Sequence, residues 1–525
     1  MTNLLRRLPI LLLALALFSC DTSKKTTAGD NGWIEFQILQ MNDVYEISPS
    51  ASDDRGGLAR VAQIRKELLA KNPNTYTVLA GDFISPSVLG TLRYEGKRIR
   101  GRHMVEVLNT LGLDWVVFGN HEFDYDDLAD LQARLDESKF TWLAGNVRLK
   151  GDTWTQQFFK NKPSGGTEIC PDNLTVELKD ADGTSIKLGL FGVLINTGRK
   201  PWAVYSDWEE SARKSHAELR AKCDVVLALT HLDISDDKKL AAMFPDVPLV
   251  MGGHDHENMR IPVGPSVVTK ADANAKTVYV HTIRYDKRKK SCSVKSELRR
   301  VDKTVADEPA TAAVVAKWEK IMQKSLSSSG FNATAVVTKL EKPLDCREGA
   351  VRNMQAPVGA MINEAIMAVS RTKPECAFFN SGAIRVDDVL SGTLVEHDIV
   401  RMLPFGGGIT EVEMSGALLR KTLDTGTSNK GNGGYLQLFN LKKNDSGQWQ
   451  VGTALLEEKR IYRVALTDFL LTGNEQNMGF LKASLDDSGK SSNPDIPQIA
   501  KPDPKDKSDL RNDIRLAVIR HLRGE

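Results

Sequence analysis

Several things are scarce in this chain, and each scarcity excludes a class of protein. Six cysteines in 525 residues, with no Cys-x-x-Cys pair, make neither a disulfide framework nor a zinc knuckle. Apart from Cys20 they are Cys170, Cys223, Cys292, Cys346 and Cys376, an odd and scattered set that leaves one or two disulfides open and their pairing unassigned. Charge of one sign is lacking too. A formal net charge of +2 offers no electrostatic footprint for a nucleic-acid polymer. Beyond residue 20 no apolar run is long enough to span a bilayer, and the chain shows no internal repeat.

What is present starts with an export signal over residues 1–20. Arg6 and Arg7 precede the apolar run Leu8 to Phe18, which is too short for a permanent membrane helix. The ending Leu17-Phe18-Ser19-Cys20 is similar to the lipobox of bacterial lipoproteins, which implies a lipid on Cys20; an ordinary secretory signal is the alternative. Residues 21–32, rich in Thr, Lys, Gly and Asp, read as a flexible tether. The expected location is the cell envelope, lipid-anchored and facing the periplasm or exterior. About 500 residues remain, too many for one core. Strand-like runs alternate with helical stretches over 33–301, the mark of an α/β layered domain. Residues 302–330 read as a connecting helix and 331–525 as a second domain, with a solvated loop from Asp486 to Ser508 before a last helix, Asp509 to Leu522.

The informative feature is a series of polar ligands, each placed just after a short apolar run. They are Asp43, Asp82, Asn120 with His121, His231, and His254 with His256. The runs before them (Ile34 to Leu39, Tyr76 to Leu79, Trp115 to Phe118, Val225 to Leu229, Pro248 to Met251) read as buried strands. Ligands at strand ends converge on one rim of a sheet, where open α/β sheets bind their ligands. Singly, each residue is more readily a turn former, a cap or a structural histidine. Together, two carboxylates, one amide oxygen and three imidazoles suit a pair of divalent transition ions, with Asp82 as the natural bridge. His121 can face a substrate instead of a metal, stabilising charge or protonating a leaving group. Asp124 either orients His121 or caps a helix over Asp126 to Leu135.

Gly81-Asp82, Gly119-Asn120-His121-Glu122, His231 and Gly253-His254-Asp255-His256 resemble the signature blocks of calcineurin-like metallophosphoesterases. With Gly56-Gly57-Leu58-Ala59-Arg60, the block Gly119 to Asp124 resembles the 5′-nucleotidase branch. In the second domain, Asn380-Ser381-Gly382-Ala383-Ile384-Arg385 and Leu403-Pro404-Phe405-Gly406-Gly407 are similar to that branch's later blocks. The resemblance implies a four-layer α/β metallophosphoesterase sandwich followed by a second α/β substrate-binding domain. It implies one metal on Asp43, Asp82 and His256, and a second on Asp82, Asn120, His231 and His254. His121 with Asp124 would be the catalytic dyad, while Arg385, Phe405 and Tyr435 would bind substrate. The expected cofactors are two divalent metal ions, with Zn, Mn, Co and Mg all open.

Two departures from the family pattern matter. Where the first block usually reads Asp-x-His, this chain has Asp43-Val44-Tyr45. A neutral phenol is a poor ligand, so Tyr45 could bind as phenolate, hydrogen-bond a bound water or leave a water in its place. Late in the second domain, the usual Gly-Gly-Asp-Gly-aromatic segment is replaced by Gly473-Asn474-Glu475-Gln476-Asn477-Met478-Gly479-Phe480, with the ring displaced. The leading expectation is a 5′-nucleotidase-like phosphomonoesterase, with a nucleotide or another phosphorylated metabolite as substrate. The alternatives are a cyclic-nucleotide phosphodiesterase, a nucleotide-sugar pyrophosphatase, or a non-catalytic binder of a phosphorylated ligand.

Overall fold

The computed structural model describes residues 30–50, 53–196 and 200–525; the signal and Cys20 lie outside these residues. The first sheet aligns β1 (Trp33–Met41), β2 (Thr75–Leu79), β3 (Trp115–Val117) and β4 (Thr141–Leu143) in parallel. The second is built from β5 (Asn173–Lys179), β6 (Ser185–Leu194), β7 (Val225–His231), β8 (Leu249–Met251), β9 (Met259–Val263) and β10 (Ser266–Lys270), in the order β5-β6-β7-β8-β10-β9. The hairpin β11 (Thr277–Asp286) and β12 (Ser291–Arg300) then returns to the first sheet, pairing antiparallel with β1.

Alternation along β1 explains the layering. Ile34, Phe36 and Ile38 face the second sheet, meeting Leu188, Leu190, Leu227 and Leu229 in a dry inter-sheet core. Leu39 and Met41 belong to the core under the helices α1 (Leu58–Lys71), α2 (Arg102–Leu111) and α3 (Leu128–Glu137). The outer face of the second sheet is covered by α4 (Trp208–Arg220) and α5 (Ile234–Met243), through Leu219, Leu240 and Phe244. Helix, sheet, sheet and helix give the four layers expected from the resemblance.

The connection is α6 (Pro309–Ser328), started by Pro309 in the first turn and by Glu308, whose carboxylate accepts from the Thr311 amide. It is not a free linker. Trp318 is fully buried against Tyr94 and His103, and its indole N–H donates to Glu106. The second unit has α7 (Pro357–Val369) and α9 (Ile514–Arg523) packed on one face of a mixed sheet, and α8 (Gly416–Ser428) on the other. In chain order its strands are β13 (Cys376–Asn380), β14 (Ile409–Ser415), β15 (Leu436–Phe439), β16 (Ile461–Thr467) and β17 (Gln498–Ala500), and their order in the sheet is β15-β13-β16-β14-β17.

Three local expectations change. Asp486 to Ser508 is not wholly a solvated loop: fully buried Ile496 and half-buried Ile499 anchor it, and β17 extends the sheet beside β14. The stretch from Asn161 to Asn173, whose Pro, Gly and Ser read as a surface excursion, holds one strand of a short hairpin, Phe159–Asn161 with Thr167–Ile169. Cys170, Cys223, Cys292, Cys346 and Cys376 are all free thiols. Among the described residues no helix is long and apolar enough to cross a membrane.

Candidate active site

Parallel neighbours put their C-terminal ends on the same side, so β1, β2 and β3 deliver Asp43, Asp82 and Asn120 to one rim. His231 closes β7 and the Gly252-to-His256 loop follows β8, adding the imidazoles from the second sheet. The backbone bends sharply to do this. Asp43, Asp82, His254 and His256 all have positive φ, at 52°, 58°, 80° and 60°. Non-glycine residues adopt such angles at a cost of order 1–3 kcal/mol each, and hold them where surrounding structure over-determines them. Neighbouring glycines permit the crowding. A Cβ on Gly119 would sit 2.1 Å from Asp82 Oδ1, and one on Gly253 would sit 2.2 Å from the Ala80 carbonyl.

The ligand set meets face to face. Asp43, Asp82 and His231 are shielded from solvent. His231 donates from Nδ1 to the Ala80 carbonyl (2.7 Å), which turns Nε2 toward Asp82 Oδ2 (3.1 Å) and Asn120 Oδ1 (3.0 Å). Ligand atoms of Asp82, His231 and His254 all lie within 4.8 Å of one another. On the other side, His256 Nε2 is 3.3 Å from Asp43 Oδ1, a buried oxygen with no hydrogen-bond donor. Carboxylate, amide and ring-nitrogen atoms converge here beside a buried carboxylate oxygen left without a donor, an arrangement that a divalent ion would satisfy, so these residues fit such an ion. Burial works against a charged His231, yet Asp82 outweighs it and lifts the imidazole to about 9. His256 is lifted to about 10, again against burial, by Asp387 and Asp43.

Tyr45 sits inside this cluster. Its phenol is buried, with Oη 3.2 Å from Asp82 Oδ2 and 3.1 Å from His256 Nε2. Burial and then Asp82 push its pKa well up, so without an ion it is a neutral donor to the carboxylate.

His121 and Asp124 form a tight pair. Nδ1 of His121 donates to Asp124 Oδ2 at 2.9 Å, leaving Nε2 4.0 Å from Asp82 Oδ2. The helix-cap alternative for Asp124 falls to Asp127, which accepts from the Ala129 amide at the start of α3. Asp124 instead accepts from Ser85 and from Arg385 of the second unit (3.2 Å). Burial pushes the Asp124 carboxyl up, but His121 and Arg385 reverse this and hold it far below the usual range. Burial likewise pulls His121 down, and Asp124 and Asp82 outweigh it to leave the imidazole raised.

Arg385 and Phe405 share a cleft of about 720 Å³ with Asp124, Tyr125 and Ser85, at the junction of the two units. Phe405 is 67% exposed, with an open ring face. Tyr435 does not line this cleft; it is half-buried, its hydroxyl accepting from Gln355. Phe480, the displaced ring, packs against the second unit's core beneath Lys421.

Several residues of the site escaped the sequence reading. Buried Glu122 accepts from the amides of Gly119, Asp82, Phe83 and Ile84, tying two ligand loops together. Its burial, with Asp82 nearby, pushes its carboxyl up to about 7. Lys270, fully buried at the end of β10, pairs with Asp237 and Asp255 and donates to the carbonyls of Leu232 and Gly253. Asn42 donates to Asp43 Oδ2. Only Glu122, beside His121 in the motif, carried a signal in the sequence.

The family model described as "Calcineurin-like phosphoesterase" matches residues 36–258, and "5'-nucleotidase, C-terminal domain" matches residues 335–482. The snake venom 5′-nucleotidase of Naja atra is 25% identical over 529 residues, covering 88% of this chain and 94% of that protein. The 5′-nucleotidase of Homo sapiens is 24% identical over 431 residues, covering 74% and 71%. Among solved structures, a 5′-nucleotidase precursor from Thermus thermophilus superposes with a TM-score of 0.65 at 19% identity, covering 94% of this chain and 96% of that one. The chain therefore belongs to the calcineurin-like phosphoesterases that carry a 5′-nucleotidase C-terminal domain, a family of metal-dependent phosphoesterases.

Proposed function

We propose that this protein hydrolyses nucleotide phosphomonoesters in the cleft between its two units. The observation that carries this is one cleft that brings Asp124, the hydrogen-bond partner of His121, together with Arg385 and open Phe405. Asp43, Asp82 and His256 would hold one ion, and Asp82, Asn120, His231 and His254 the other. Two divalent ions supply neutralisation of phosphoryl charge and acidification of water. Arg385 would grip the phosphate through its planar fork. His121, with Nδ1 fixed by Asp124, holds a proton on Nε2 for the departing nucleoside oxygen. Phe405 offers a face for the base, worth roughly 1–3 kcal/mol. Tyr435 would offer a further ring face on which a base can stack.

The cleft also gathers Arg98, Arg100 and Arg515, which favours substrates with a further phosphoryl group; nucleoside diphosphates and nucleotide sugars belong in the test. Metal analysis of purified protein, combined with phosphate release over a nucleotide panel before and after chelation, decides the matter. Release of phosphate from nucleoside monophosphates that stops on chelation is expected. A chain that binds nucleotide without turnover under any divalent ion is a binding protein instead. The export signal and Leu17-Phe18-Ser19-Cys20 support placement at the envelope through a lipid on Cys20, with the domains reading as 33–301 and 331–525 around the 302–330 connection. Cys20→Ser should then release the protein from membrane fractions.

A further inference from the structure

We infer that the second unit completes the metal centre, with Asp387 as the positioning residue for His256; this rests on the two-ion reading above. A metal-binding imidazole needs its other ring N–H held by an acceptor, which fixes both tautomer and ring orientation. For His231 that acceptor is local, the Ala80 carbonyl of its own domain. For His256 it comes from 131 residues downstream. Nδ1 of His256 lies 3.1 Å from the Asp387 carbonyl and 3.1 Å from Asp387 Oδ2, while Nε2 faces Asp43 and Tyr45.

Asp387 is built for this contact. Its φ of 41° is left-handed, and the Glu348 amide donates to its Oδ1 at 2.6 Å, turning Oδ2 toward the imidazole. Its neighbours brace the same loop on the first domain: Arg385 pairs with Asp124, and Asp388 with Lys276. The site held by Asp43, Asp82 and His256 thus depends on a second-unit side chain, whereas the site held by His231 and His254 does not.

Titration of the metal-free full-length chain with Co(II), followed by calorimetry and by the visible spectrum of the bound ion, tests this. Asp387→Gly suits the left-handed backbone and removes the carboxylate. It should weaken one Co(II) site about tenfold, the lower end of the usual 10–100-fold because the main-chain carbonyl remains. The other site should stay within about twofold. Asp387→Asn keeps an acceptor oxygen and should recover most of the loss. Lys276→Met loosens the same interface without touching His256 and should leave both sites as they were. The assignment is overturned if Asp387→Gly leaves both affinities unchanged, weakens both equally, or is matched by Lys276→Met. Should the wild-type chain take up only one ion, the two-ion reading fails. The response of that ion to Asp387→Gly still decides for or against the role of Asp387.

Discussion

The two walls of the cleft are built in opposite ways. On the first-domain side, Asp43, Asp82 and His231 are withdrawn from solvent and set by strained backbone, glycine crowding and the Glu122 amide cluster. On the second-unit side, Phe405 stands open and Arg385 reaches over to Asp124 while also pairing with Glu348 of its own unit. The difference follows from what each wall must meet. Charge developing on a small phosphoryl group is best met by groups fixed in advance in a low-dielectric setting. A nucleoside is large and presents a broad flat base, and a wall that stacks on it needs open area.

Removing the bridge should break the first wall outright. Asp82→Asn keeps the shape, yet it withdraws the carboxylate that faces His231, Tyr45 and His121. Phosphate release should fall at least about a thousandfold, since several kcal/mol of charge stabilisation go with the ion. A decrease of only a few-fold would mean that the buried wall is not a metal site. His121→Ala is expected next, with turnover down about 10²–10⁴-fold and metal content retained, because only the main-chain amide of His121 touches Asp82 closely. Loss of metal along with turnover would make His121 a ligand and move it to the other side of the comparison.

The contrast between walls also explains what could be read from the sequence. Each first-wall ligand follows a short apolar strand, and parallel neighbours must end together, so order along the chain becomes proximity in space. The helix over Arg102–Leu111 is legible in the sequence, since apolar spacing alone sets it. The sequence pattern starts α3 too early because Asp124, Asp126 and Asp127 are equivalent as letters; only the turn made by His121 to Phe123 decides which one caps. The edge strand β17 was hidden in a polar tail, since two isoleucines suffice to anchor it. Asp387 and Lys270 act through groups brought near by tertiary folding, and no local period announces them.

Arg385→Ala sharpens the comparison by separating binding from chemistry. KM for nucleotides should rise about 10–100-fold through loss of a charged contact worth roughly 1.5–3 kcal/mol. The same guanidinium holds Asp124, so kcat should fall as well, but by less. Arg385→Lys, with charge but no fork, should lie between. Steady-state kinetics on one nucleoside monophosphate reads the split. A large fall in kcat with KM unmoved would assign Arg385 to the dyad, leaving Phe405 alone on the second wall.

The smallest effect expected is on stability, and it tests whether the first domain is the more acid-sensitive part. Burial holds His103 and His281 neutral, each lowered to about 3, with Arg134 and Arg260 adding to the effect. The second unit holds one counterpart, His397, which burial and then Arg401 lower to about 4. His281 is tied to the site, because its ring meets Gln40 Oε1, and Gln40 donates to the Gly252 carbonyl beneath the His254–His256 loop. In the unfolded chain these residues titrate near 6.5, so below that pH the unfolded state takes up protons that the folded state refuses. Their contribution to stability is therefore fully present above about 6.5 and declines as pH falls toward about 3. Each residue should cost roughly 1 kcal/mol between pH 6.5 and 5.5. His231 and His256, whose values are raised, stay protonated in the metal-free fold through this window while the unfolded chain takes up their protons, so each offsets roughly 0.3–0.4 kcal/mol of the loss. Calorimetry of metal-free protein at the two pH values should show the loss. His281→Gln, which keeps hydrogen-bonding capacity without titrating, should remove about a third of it. A pH response unchanged by that substitution would place the acid sensitivity in other groups, and would leave the first domain no more acid-sensitive than the second.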